Sequence, residues 1–201
     1  MSRRLLNRIL VVVCLVMAPS YASAEASTFL RPFLSQEAPL SLSQLRENTD
    51  LYDCGLEQDD QEFCSDEIRY YKTRVVVTLL VGSDTRVTKV KLSADFSPIH
   101  YTDLQLNLRK DGFHIVEVRK AGRHFLVAEE IRLADRQAAD KALIEFMNQG
   151  AIDDSIEVRW QLAHKTHTKN KEVEAVFQSH NEGIEITFYV SKDSDAAETQ
   201  E

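Results

Sequence analysis

The 201-residue chain carries 24 Lys and Arg against 32 Asp and Glu, a formal charge of −8 at pH 7. So acidic a chain lacks the cationic surface that nucleic acid and anionic membranes require, and neither is an expected partner. Its length and 43% hydrophobic content suit one domain with a modest core plus terminal extensions.

The first 24 residues read as an export signal. Arg3, Arg4 and Arg8 form a basic start without an acid, Ile9 to Ala18 is apolar, and Ala22-Ser23-Ala24 puts small residues before a cut at Glu25. The run falls short of the roughly 20 apolar residues a spanning helix needs, and no later segment approaches that length, so the mature form is not expected to cross a membrane. Cleavage removes three arginines and no acid, taking the formal charge from −8 to −11. The expected address is the periplasm or the exterior.

Residues 25–50 read as an N-terminal arm, polar with apolar anchors at Phe29, Leu30, Phe33, Leu42 and Leu45; Pro32 and Pro39 interrupt its first half. Ser41 to Glu47 has the pattern of a short helix. The pattern leaves open whether the arm packs on the domain.

The domain spans 51–190. Cys54 and Cys64 are the cysteines of the exported form, and an even pair in an oxidising compartment predicts a disulfide. The wide spacing and the surrounding acids argue against a redox-active pair, whose thiols need a lowered pKa. Seven carboxylates between Asp53 and Glu67 suggest a calcium loop, but the alternating acids, central Gly and terminal Glu of such a loop are missing. A solvated loop is the better reading.

Tyr70 to Val81 reads as one strand, with a Gly82-Ser83-Asp84 turn leading into a second at Val87 to Leu92. Ser97-Pro98 is a capping hydroxyl followed by proline at the first helical position, which predicts a helix over Ser97 to Lys110. Leu104, Leu106 and Leu108 also alternate as in a strand, so a β-meander with a single helix is the alternative. Strands follow at Phe113 to Val118 and His124 to Glu130 around an Ala121-Gly122 turn. A helix over Asp135 to Gln149 has an apolar stripe of Ala139, Ala142, Leu143, Phe146 and Met147. Ser155 to Leu162, Val173 to Phe177 and Ile184 to Val190 complete the strands, and 191–201 is an acidic tail expected to be disordered. The order βαββαβ in 87–162 predicts an α+β fold of about six or seven antiparallel strands, two helices on one face and a ferredoxin-like core.

Catalytic signatures are missing: the sequence has no Gly-x-Ser-x-Gly elbow, phosphate loop or HExxH, so no catalytic residue, cofactor or metal is expected. His164 and His167 sit among lysines that would repel a cation, while His114 and His124 flank the central hairpin. The candidate binding residues are cations on an acidic chain. Arg119, Lys120 and Arg123 sit at the hairpin turn, and Lys165, Lys169 and Lys171 in the following loop; either group suits an acidic protein or an anionic glycan. Trp160 is the candidate for stacking a sugar, with a partly buried core tryptophan as the better reading. The expectation is an exported, non-enzymatic adaptor that binds another envelope protein through a sheet edge or hairpin tips. A glycan-binding module is the first alternative, and a hydrolase with an unrecognised carboxylate pair the second.

Overall fold

The computed structural model describes residues 25–36, 39–55, 61–163 and 172–190. The leader at 1–24, the loop carboxylates Glu57, Asp59 and Asp60, the basic loop with Lys165, Lys169 and Lys171, and the tail at 191–201 lie outside them.

The arm is ordered by its apolar residues. Helix α1 (Ser27–Ser35) buries Phe29, Leu30 and Phe33 and contacts β5 (Val87–Asp95). Pro32 does not interrupt it, contrary to the sequence expectation. A proline there gives up the hydrogen bond to the Thr28 carbonyl and crowds that group, but Thr28 faces solvent, where the carbonyl can tilt outward to water. Helix α2 (Leu42–Glu47) forms as expected. The Ser41 side chain accepts from the Gln44 amide and the Gln44 side chain accepts from the Ser41 amide, and Leu45 is buried.

Strands β1 (Leu51–Asp53) and β2 (Glu62–Ser65) pair antiparallel, and a Cys54–Cys64 disulfide ties them together. The run read as one strand contains a hairpin: β3 (Ile68–Tyr70) folds back on β4 (Thr73–Val81). Tyr71 makes the turn with φ 56°, a left-handed conformation that is uncommon for a residue other than glycine. Asp111 ties the turn down, since its carboxylate accepts from the hydroxyls of both Tyr70 and Tyr71. Local patterning could not reveal a turn stabilised from forty residues away.

Helix α3 (Pro98–Lys110) has Ser97 as its cap and Asp111 just past its end. The alternation of leucines within it is coincidental; Leu104 and Leu108 face the core while Leu106 faces solvent. Strands β6 (Phe113–Lys120) and β7 (Arg123–Leu126) form the expected hairpin, but β7 stops early. The chain turns at once into α4 (Val127–Leu133), whose first turn holds Glu129 and Glu130 where the helix dipole favours acids. Helix α5 (Arg136–Met147) is capped by Asp135. Strands β8 (Ile156–Leu162), β9 (Val173–His180) and β10 (Gly183–Val190) complete the chain.

Among the described residues the architecture is α+β, a ten-stranded antiparallel sheet with five helices. Its order is β1-β2-β4-β5-β10-β9-β8-β6-β7, with β3 beside β2 on β4. This departs from the expected ferredoxin-like core of two helices and six or seven strands, and from the meander alternative. In a ferredoxin-like sheet each split βαβ half leaves room for a single strand of the other half between its own two strands. Here three strands, β10, β9 and β8, lie between β5 and β6; the strand pairings of the described residues are antiparallel, as expected.

Register separates the two sheet faces. Val77, Leu79, Val90, Leu92, Ile186, Phe188, Phe177, Val158 and Trp160 share one face and form a single core with the helices. The opposite face is polar.

Two outcomes are expected. The chain-entropy value of the roughly ten-residue disulfide loop is about 2.5–3 kcal/mol, so reduction should lower the melting temperature by about 5–10 °C. Labelling of both cysteines in native, unreduced protein would show the bridge absent. Partial burial and the Asp111 carboxylate together push the Tyr71 phenol up to about 12. The neutral phenol therefore adds stability that is complete below about pH 10 and lost as pH rises toward 12. Spectrophotometric titration of Asp111→Asn should return Tyr71 toward about 10; an unaltered titration removes Asp111 as the cause.

Candidate functional site

Two surfaces combine chemistry from distant segments. The first is the polar sheet face. Cross-strand register sets Arg119 opposite Glu157, Glu157 opposite Gln178, and Gln178 opposite Glu185. A second row runs from Glu117 to Arg159, and Glu174 stands beside Tyr189. Irregular register between Ile115 and Glu117 turns Glu117 onto this face. Its carboxylate is nearly covered: Arg119 Nε donates to Oε1 at 2.7 Å and Arg159 Nη1 to Oε2 at 3.0 Å. Arg159 Nη2 continues to Glu174 at 3.0 Å, which also accepts from the Tyr189 hydroxyl at 2.7 Å.

Burial works against charge on Glu117, but the two guanidinium hydrogen bonds outweigh it and hold the carboxyl below the usual range. Arg159 shifts the other way: its bond to Glu174 strengthens its hold on the proton. Burial, and then the Glu174 carboxylate, push Tyr189 up. The ladder is a charge-assisted tie across four strands.

Where β4, β5, β8, β9 and β10 end together, this face has an open groove of about 820 Å³. Glu67, Asp95, Glu157 and Glu185 line it with Arg74, His100 and His180. Most of these acids are engaged. Arg74 pairs with Glu67, Arg119 and Gln178 hold Glu157, and Lys91 reaches Glu185 at 3.5 Å. Acids neutralised in this way are poor general acids or bases. Among the described residues no group of three or more His, Cys, Asp or Glu is arranged to hold a metal ion.

The second surface lies between α3 and α5, where a groove of about 380 Å³ opens. Tyr101, Leu106 and Arg109 line it from α3, Ile144 and Met147 from α5, and Ile152 from the loop before β8. Leu106, Ile144 and Ile152 are 47%, 60% and 45% exposed. At its floor is Lys120, whose side chain is only 4% exposed; Nζ donates to the Ala151 carbonyl at 3.0 Å and stands 3.9 Å from Asp154.

The sequence candidates fall in different places. Arg119 is on the sheet face, paired with two glutamates. Lys120 is buried rather than presented at a hairpin tip, because its strand position points it into the helix layer. Arg123 lies over the Phe146 ring, 5.2 Å from the centroid, and donates to Gln149. Trp160 is fully buried, so no sugar reaches it without opening the core. His114 and His124 do not meet, since His124 pairs with Arg119, five positions along β6 from His114. The α3–α5 groove was not visible in the sequence. Leu106 and Ile144 each break a helical pattern as an exposed apolar residue, and that was the only available signal.

Comparison with known protein families, curated proteins and solved structures found no match. No helix of the described residues is long and apolar enough to cross a membrane.

The Glu117 ties predict a specific acid sensitivity. A carboxylate with a lowered folded pKa adds stability that is complete above about pH 4.3 and lost as pH falls through the folded value. Glu117→Gln should melt below wild type at neutral pH, and the gap should narrow as pH falls below about 4. Parallel curves across that range would remove Glu117 from the acid response.

Proposed function

We propose that this chain is an exported, non-enzymatic interaction module of the bacterial cell envelope, and that a partner protein docks on its helical side. The observation that carries the reading is the gathering of Leu106, Ile144 and Ile152 around one groove. They are three of the seven large apolar side chains that stand exposed among the described residues. Scattered exposed apolar residues are ordinary, whereas clustered ones mark interaction sites. Export rests on the leader pattern at 1–24 and agrees with the Cys54–Cys64 disulfide.

The sheet edges serve this role less well. β1 is three residues long and tied by the disulfide, and β7 is four residues long and runs directly into α4. Such short edges give an incoming strand little to pair with. A polar ligand such as a glycan is the second reading, favoured by the 820 Å³ groove on the sheet face. A hydrolase needs a free carboxylate pair, and the pairing of Glu67, Glu157 and Glu185 weighs against it.

Photo-crosslinking residues placed at Leu106 and Ile144 test the reading, with Tyr52 at the far sheet edge as the control. One dominant protein adduct is expected from the two groove positions and none from Tyr52. Equal adducts from all three, or recovery of wall fragments alone, would overturn the docking reading.

A further inference from the structure

The groove between α3 and α5 also constrains the chemistry of its occupant. Its apolar residues come from both helices and the loop before β8, yet among the described residues its only charged lining residues are Arg109 and Lys120. Among the described residues no carboxylate lines it, and the nearest, Asp154, is turned to the Ala151 amide at 2.8 Å beside Lys120; yet acids outnumber bases in the chain by 32 to 24. The two cations differ in how far they are engaged. Arg109 is exposed, rests on Trp160 with its guanidinium carbon 5.5 Å from the ring centroid, and has no salt bridge among the described residues. Lys120 has three ammonium donors. One goes to Ala151, and Asp154 stands at the limit of an ion pair.

From this we propose that the groove takes a peptide segment of a partner protein that combines apolar side chains with at least one carboxylate, docking between α3 and α5. The proposal rests on the docking reading above and adds the partner's sign of charge. Leu106, Ile144 and Ile152 give the apolar anchors their contact area. Arg109 meets the carboxylate at the rim, already oriented by its stack on Trp160, and Lys120 adds positive potential from the floor. Planar guanidinium and carboxylate match as a bidentate pair, and a pre-oriented arginine loses less entropy on forming it. The same chemistry could hold an anionic amphiphile. An alkyl chain, however, favours an enclosed cavity, whereas these apolar side chains project outward at 45–60% exposure and need a broad covering surface.

Selection of a phage-displayed library of random peptides on the full-length chain tests this, with Ile144→Asp and Arg109→Gln run in parallel and melting curves verifying their fold. Peptides enriched on wild type should pair apolar residues with Asp or Glu. Ile144→Asp should abolish the enrichment. Arg109→Gln should weaken an enriched peptide about tenfold, and added salt should weaken its binding to wild type. Enriched peptides without an acid, or indifference to Arg109→Gln, overturn the charge inference and leave the docking reading standing. Enrichment that survives Ile144→Asp overturns both. Displacement of the enriched peptides by laurate at an Ile144-dependent site assigns the groove to an amphiphile and overturns the proposal.

Discussion

The packing of α3 on the middle of the sheet is the constraint on which the rest of the structure depends. β5 and β6 follow one another in the chain but are three strands apart, so the segment joining them must lie over β10, β9 and β8. Helix α3 does so with Leu104 and Leu108 fully buried, Tyr101 edge-on to Phe177 of β9, and Arg109 on Trp160 of β8. Burial of each leucine contributes about 1.5–3 kcal/mol. Its far end is held by the tyrosine hydroxyls of the β3–β4 turn on Asp111, and by Asn107 donating to the Tyr70 carbonyl. One helix thus connects the N-terminal hairpins to the C-terminal strands, and it forms one wall of the groove.

The two sheet faces solve different problems. The helix side is apolar and held by packing. The solvent side has little apolar area and is held by the tie from Arg119 through Glu117, Arg159 and Glu174 to Tyr189. Exposed ion pairs are individually weak, but Glu117 and Glu174 are largely covered and joined through shared guanidinium groups. This shapes where a partner is sought: a face whose charges are spent on one another offers less than a groove with an exposed guanidinium, Arg109, that makes no salt bridge among the described residues.

The cations illustrate why a charge count alone cannot locate a binding surface. Arg119, Lys120 and Arg123 are near neighbours in sequence and look like one basic tip. Alternation along β6 and β7 sends Arg119 to the sheet face and Lys120 into the helix layer, while Arg123 lies against Phe146. Lys120 instead joins Arg109, a residue from another element that the sequence reading did not single out.

What the sequence determined by itself was local. Caps at Ser41, Ser97 and Asp135 started helices where a side-chain oxygen could bond an unpaired amide. Strand alternation identified most of β5, β6, β8 and β10, and the cysteine pair the disulfide. Each depends on residues close along the chain. The tertiary structure decided the insertion of β8–β10 between β5 and β6, the hidden turn at Tyr71, the early end of β7, and the meeting of α3 with α5. Those outcomes turn on which apolar faces bury one another and on bonds such as Tyr71 to Asp111, whose partners are remote in sequence. A period of two or 3.6 residues tells which side of an element is apolar; only packing decides what that side will touch.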